Sequence, residues 1–215
     1  GDHRFDDRLD DVRPETVARE VARLRSVRER AAQLATRLGS SSSHAPGDSA
    51  EADLRLDLRL LSAHVDQRLL ELTDAGPGAS PYERDPLFSM NLMAQGIDGL
   101  LGPDFLPVEA QPLRVLTRRL SQVPALCQEA LRSLRNPPEL ATRKALEIGQ
   151  GTLEFLSTIL PRLVRGVADS KALEDFRRSN DDARRALEDF LGVLARDVLP
   201  RARGDFALGR ERLTQ

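Results

Sequence analysis

The sequence predicts an all-α protein, an antiparallel bundle of about five long helices plus one shorter helix, with no β-sheet. Three observations carry that prediction. Apolar residues recur at steps of three and four through nearly every long stretch, the spacing that makes one face of a helix greasy. No stretch alternates apolar and polar residues, and none is rich enough in β-branched residues for a strand. Proline- and glycine-rich breaks separate the periodic stretches, and short breaks favour antiparallel neighbours.

The first helix is predicted to open at "DVRPET", where Pro14 suits a first turn whose N–H needs no partner. Val17, Val21, Leu24, Val27, Ala31, Leu34 and Leu38 form its stripe, and Gly39 closes it. "SSSSHAPGDS" is a flexible linker, about residues 39–48. Asp48 with Glu51 can form a capping box for a second helix striped by Leu54, Leu58, Leu61, Val65, Leu69 and Leu72. "DAGPGASPYERDP" breaks the chain, and a shorter helix carrying both methionines runs from Pro86 to about Leu101. "GPDFLP" turns the chain into a fourth stripe, Leu113, Leu116, Leu120, Val123, Cys127, Leu131 and Leu134. Pro124 lies inside that stripe and removes one backbone hydrogen bond, so a kink is expected near residue 120. "NPPE" restarts the chain with Asn136 as expected cap and Pro137 in the first turn; Pro161 marks a second kink. Asp169 or Ser170 caps the last long helix, which carries Leu173, Phe176, Ala183, Leu187, Phe190, Leu194 and Val198 and ends at Pro200.

These boundaries give an N-terminal extended segment over 1–13, a helical domain over 14–202, and the start of a next element over 203–215. A two-domain alternative would divide near the 75–86 loop. One domain is preferred, because each half alone would have few helices to cover its stripes.

Composition narrows the function. The 215 residues can bury a substantial core. With 32 basic and 34 acidic residues the net charge is −2, so no global field draws nucleic acid or an anionic membrane. The basic run "ARLRSVRER" interleaves Arg25, Arg28 and Arg30 with Glu29, following Glu20, which reads as a solvated helix face. No apolar run approaches a membrane span. The charged opening "GDHRFDDRLDD" is no signal peptide, which makes the cytoplasm the default location, while a removed leader would leave export open. The single cysteine forbids an intrachain disulfide.

Candidate chemistry is sparse. His3, His44 and His64 have no metal-ligand spacing, and no H-E-x-x-H is present. Cys127 sits on an apolar stripe and reads as a small buried hydrophobe. There is no nucleophile elbow, P-loop or dinucleotide fingerprint. No catalytic or metal residue is therefore assigned. "SPYERDPLFSMNLM" holds the only tyrosine and an Arg-Asp pair in a loop leading to a helix. Loops on rigid scaffolds carry function, so Tyr82, Arg84 and Asp85 are the candidate cleft-facing residues; the plainer reading is a plug between helices.

"GDHRFDDRLDD", "RDPLFSMNLM", the long stretch from "RRLSQVPALCQEALRSL" to "TILPRL", and "LPRARGDFALGRERL" follow one another in the order of a known family. The series resembles the N-terminal half of the bacterial domain of unknown function (DUF) 885 family, which is similar to helical zinc metallopeptidases of the H-E-x-x-H type. The resemblance implies a helical wall over a cleft, with zinc and the catalytic helix in a missing C-terminal half and a peptide-like substrate for the whole protein. It places no cofactor and no catalytic or metal residue in these 215 residues, and "GDFALGRERL" becomes the expected hinge to the next half. The competing expectation is a stand-alone helical bundle that binds a partner without catalysis.

Overall fold

The computed structural model describes residues 6–40, 49–73, 81–101 and 108–205. Among the described residues the regular structure is helical and contains no strand. The expected capping residue Asp48, the "GPDFLP" turn and the element after Asp205 lie outside them. The chain divides into two compact units: Gly1–Arg13 with Tyr82–Gln215, and Pro14–Pro81. One boundary falls between Pro81 and Tyr82 and the other between Arg13 and Pro14.

The unit Pro14–Pro81 is a helical hairpin of α1 (Pro14–Ser40) and α2 (Ser49–Thr73). Arg55 donates to the Leu38 carbonyl at 3.2 Å, and Arg28 reaches Asp66 at 3.5 Å. Rising numbers on α1 thus meet falling numbers on α2, which makes the pair antiparallel. Val17, Leu24 and Ala31 are buried on α1; Leu58, Val65, Leu69 and Leu72 are buried on α2. The seven-residue steps in both sets are those of a two-helix seam. The single stripes expected for these helices need correction: Leu34, Leu54 and Leu61 are exposed. α1 also runs one residue past Gly39.

In the larger unit, α3 (Pro81–Arg84) leads into α4 (Pro86–Asp98), followed by α5 (Ala110–Leu120), α6 (Val123–Ser133), α7 (Glu139–Glu154), α8 (Leu160–Leu163) and α9 (Ser170–Val193). α9 packs along α5, α6 and α7, and α4 packs along α7. Phe176, Leu187 and Phe190 of α9 meet a core that includes Leu113, Leu116, Leu120, Met90 and Met93, all at most 1% exposed. Burying each such side chain contributes roughly 1.5–3 kcal/mol.

Two departures from the expected helices have local causes. The fourth stripe is not one kinked helix but two, α5 and α6, separated at Ser121–Gln122. Pro124 lies in the first turn of α6, where it costs no hydrogen bond. The other concerns Asn136, which is not the cap of α7. That helix starts at Glu139 with Pro138 at the cap position and no side-chain cap bond, so Pro137 lies before its first turn. Asn136 has φ 35°, the left-handed region that asparagine tolerates better than most residues.

The expected kink at Pro161 is a π-helical turn, Phe155–Ile159, just before α8. Proline has no N–H to return to the carbonyl of Ser157, and the preceding turn widens: the Leu160 N–H bonds the Phe155 carbonyl five residues back. That leaves the Leu156 carbonyl, which Asn180 of α9 serves through its amide at 2.9 Å. The same device recurs as Leu194–Val198 ahead of Pro200. Asn180 is 5% exposed. Asn180→Leu is expected to cost about 2 kcal/mol by stranding a buried carbonyl, read as a lower urea midpoint with unchanged slope.

Candidate functional site

The residues singled out in "SPYERDPLFSMNLM" gather where three chain segments meet. Asp85 takes an extended conformation, φ −132° and ψ 108°, and its carboxylate accepts the Leu87 N–H at 2.8 Å, capping α4. Tyr82 is buried and meets the exposed ring of Phe88 edge-on, with centroids 6.0 Å apart. Arg84 donates to the backbone carbonyl of Asp205 at 3.2 Å. The Glu83 carbonyl accepts the Arg135 N–H at 2.5 Å.

The same corner holds the end of the described chain. The Arg203 N–H donates to the Asn136 side-chain oxygen at 3.2 Å, and the Gly204 N–H to the Pro137 carbonyl at 3.1 Å. Gly204 lies so near this loop that a Cβ would strike the Asn136 carbonyl oxygen and sit 2.8 Å from the Pro137 carbonyl carbon. Residues 82–85, 135–138 and 203–205 thus form one junction. Sequence reasoning picked Tyr82, Arg84 and Asp85 from their loop position; it missed Asn136 and Gly204, whose roles depend on segments about 70 residues apart.

Burial pushes the Asp85 carboxyl above its usual range, against the opposing pull of the Leu87 N–H and of Arg84. A carboxylate with a raised folded pKa favours the fold while protonated, and that contribution fades as pH rises through the unfolded value toward the folded one. Asp85→Asn keeps a capping oxygen and removes the desolvated charge, so thermal stability at pH 7 is expected to hold or rise. Asp85→Ala should lose about 1 kcal/mol at the same pH. Melting curves of both variants at pH 4 and pH 7 check this.

A second feature lies where the N-terminal segment crosses α6. Gln122 accepts the Leu9 N–H at 3.0 Å and donates to the carbonyls of Asp7 and Arg118, each at 2.8 Å. Beside it a groove of about 580 Å³ is lined by Leu9, Asp11, Arg13, Leu126, Glu129 and Arg132 among others. Its charges are of both signs: Arg13 pairs with Asp11, and Arg132 with Glu129 at 2.9 Å. A smaller hollow of about 330 Å³ lies between α4 and the end of α7, walled by Ala94, Ile97, Ile148, Gly151, Thr152 and Phe155.

Among the described residues, the remaining candidates lack catalytic surroundings. Cys127 is buried, its thiol pushed up to about 12 by desolvation, with its sulfur 3.4 Å from that of Met93. A thiol so raised is not a nucleophile. His64 is exposed on α2; His3 and His44 lie outside the described residues. Among the described residues no group of three His, Cys, Asp or Glu side chains converges to hold a metal ion. None of the described helices is long and apolar enough to cross a membrane.

A comparison with curated proteins gives no match. Among solved structures, "The structure of a putative lipoprotein of unknown function from Shewanella oneidensis" has a similar fold, with a TM-score of 0.74 at 20% identity. The alignment covers 99% of this chain but 36% of that one, so the chain spans little more than a third of its neighbour's length. The family described as "Bacterial protein of unknown function (DUF885)" matches residues 1–214. The resemblance carried by the ordered segments and the match over almost every residue agree: the chain belongs to the DUF885 family.

Proposed function

We propose that these 215 residues are the helical, cleft-wall portion of a larger zinc-dependent, peptidase-like hydrolase, and that they are not catalytic by themselves. The observation that carries this reading is the extent of the fold: the whole of it recurs within a neighbour nearly three times as long. The peptidase class rests on the family's similarity to H-E-x-x-H zinc enzymes. Zinc in such a centre acidifies a bound water and polarises the scissile carbonyl. The residues described here do not fit that metal, since no three ligands converge, and no step is assigned to them. Their part is to present a rigid wall on which Arg84 and Asp85, with buried Tyr82 behind them, would face a peptide-like substrate. The neighbour's lipoprotein description favours an exported whole protein over the cytoplasmic default.

The test is turnover. The longer protein should cleave members of a mixed peptide library and lose that activity to a zinc chelator, while the 215-residue chain should cleave none. Hydrolysis by the short chain alone, or chelator-insensitive cleavage by the longer protein, would overturn the reading. Specific capture of a binding partner by the short chain, with no hydrolysis by either form, would point to the stand-alone interaction bundle.

A further inference from the structure

α2 is greasy on two opposite sides. Its inner face, Leu58, Val65, Leu69 and Leu72, is buried in the seam with α1. Leu56, Leu60, Ala63, Gln67 and Leu70 lie on the other side, at steps of four, three, four and three, and all are exposed. Leu56, Leu60 and Leu70 expose 52%, 60% and 57% of their surface. That spacing is the repeat by which one helix seats another. Scattered exposed leucines need no explanation; a second heptad stripe opposite the first does.

We propose that this outward stripe seats an amphipathic helix supplied by the part of the longer protein that follows residue 215. The proposal rests on the reading above, that the chain is one portion of a larger protein. The neighbour of the same fold carries nearly two-thirds of its length outside the matched region, ample chain to supply such a helix. Charge defines the occupant further. At 100° per residue Asp53, Asp57, His64 and Glu71 line one flank of the stripe, and Arg55, Arg59 and Asp66 the other. Glu71 is bridged by Arg68 and Asp66 by Arg28, so the acidic part of the rim is at Asp53 and Asp57. The seated helix should therefore carry Lys or Arg where it passes Leu56 and Leu60.

A lipid surface selects helices with basic flanks, whereas Asp53 and Asp57 stand beside Leu56 and Leu60. The hairpin itself also calls for a cover, since seven buried apolar side chains serve helices of 27 and 25 residues.

The experiment places a photoreactive benzoylphenylalanine at Leu60, and separately at Leu70, in the longer protein. Irradiation followed by peptide mapping should yield cross-links within one chain to a segment beyond residue 215 rich in Leu and Lys or Arg. Cross-links to residues 82–205, to a second copy or to lipid, or no cross-link at all, would overturn the proposal, as would a gene product that ends at Gln215. Leu60→Glu with Leu70→Glu gives an independent readout. The pair should lower the melting temperature of the longer protein by several degrees and leave that of the 215-residue chain unchanged. Equal effects on both would also overturn it. Absence of zinc or turnover would sink the hydrolase reading without touching these results, so the two failures are separable.

Discussion

Gly204→Ala is expected to destabilise the larger unit by about 3 kcal/mol, although it adds one methyl group at a partly exposed position. The cause is what that methyl meets. It would strike the Asn136 carbonyl oxygen and crowd the Pro137 carbonyl carbon and the Pro138 nitrogen, at 2.8 and 2.9 Å. All are backbone atoms, held by the Gly204-to-Pro137 and Arg203-to-Asn136 hydrogen bonds, so the loop cannot yield as a flexible side chain would. A melting temperature lower by roughly 6–12 °C is expected for a unit of this size. Gly151→Ala supplies the contrast. Its Cβ would meet nothing within 4 Å, and alanine inside a helix gains up to about 1 kcal/mol over glycine. Opposite signs for the two glycines would tie the loss at 204 to the junction.

Arg119→Met is the second large effect, also about 3 kcal/mol. At the end of α4 the carbonyls of Gln95, Ile97 and Asp98 accept from Gly99, Leu100 and Leu101. The Gly96 carbonyl between them is served by the Arg119 guanidinium, which also donates to the Asp6 carbonyl. Burial pulls the pKa of this arginine down, while Asp6, Asp10 and Asp7 oppose the shift. Methionine keeps much of the stem but strands the Gly96 carbonyl, gives up the bond to Asp6 and removes the cation from three carboxylates. The neighbouring Arg118 is a built-in control. Its bridge to Asp7 spans 3.1 Å, with the arginine side chain 60% exposed, and such a pair contributes 0 to about 1 kcal/mol. Raising salt to 1 M should abolish the Arg118→Met effect and leave most of the Arg119→Met effect.

These two sites mark the limit of what the sequence discloses. Where structure is set within a turn or two, the reading holds: Asp169 caps α9 by accepting the Ala172 N–H at 3.0 Å, and Phe176, Ala183, Leu187 and Phe190 face the core. Where a residue answers to distant chain, local pattern misleads. "NPPE" has the form of a helix start, yet Asn136 serves Arg203, 67 residues away. The α5–α6 break shows no local signal stronger than Pro124, and Gln122 within it bonds chain segments 113 and 115 residues distant. α2 misleads differently: Leu54 and Leu61 fall on the seam side of the helix with buried Leu58 and Val65 yet are exposed, and the opposite stripe of Leu56, Leu60 and Leu70 lies outside the one stripe drawn by three-four spacing. The candidate site was legible only as a location. Tyr82, Arg84 and Asp85 stand out by loop context, but their partners, Phe88, Asp205 and the start of α4, appear only once the chain is folded. The family was legible because it is written in the order of several short segments.

Elemental analysis of zinc in two purified forms, the 215-residue chain and the proposed longer protein, tests the proposed division of labour most directly. A helical wall that serves a centre built elsewhere should carry no bound metal on its own and about one zinc per chain in the longer protein. One tightly held zinc in the short form, or none in the long form, would contradict it.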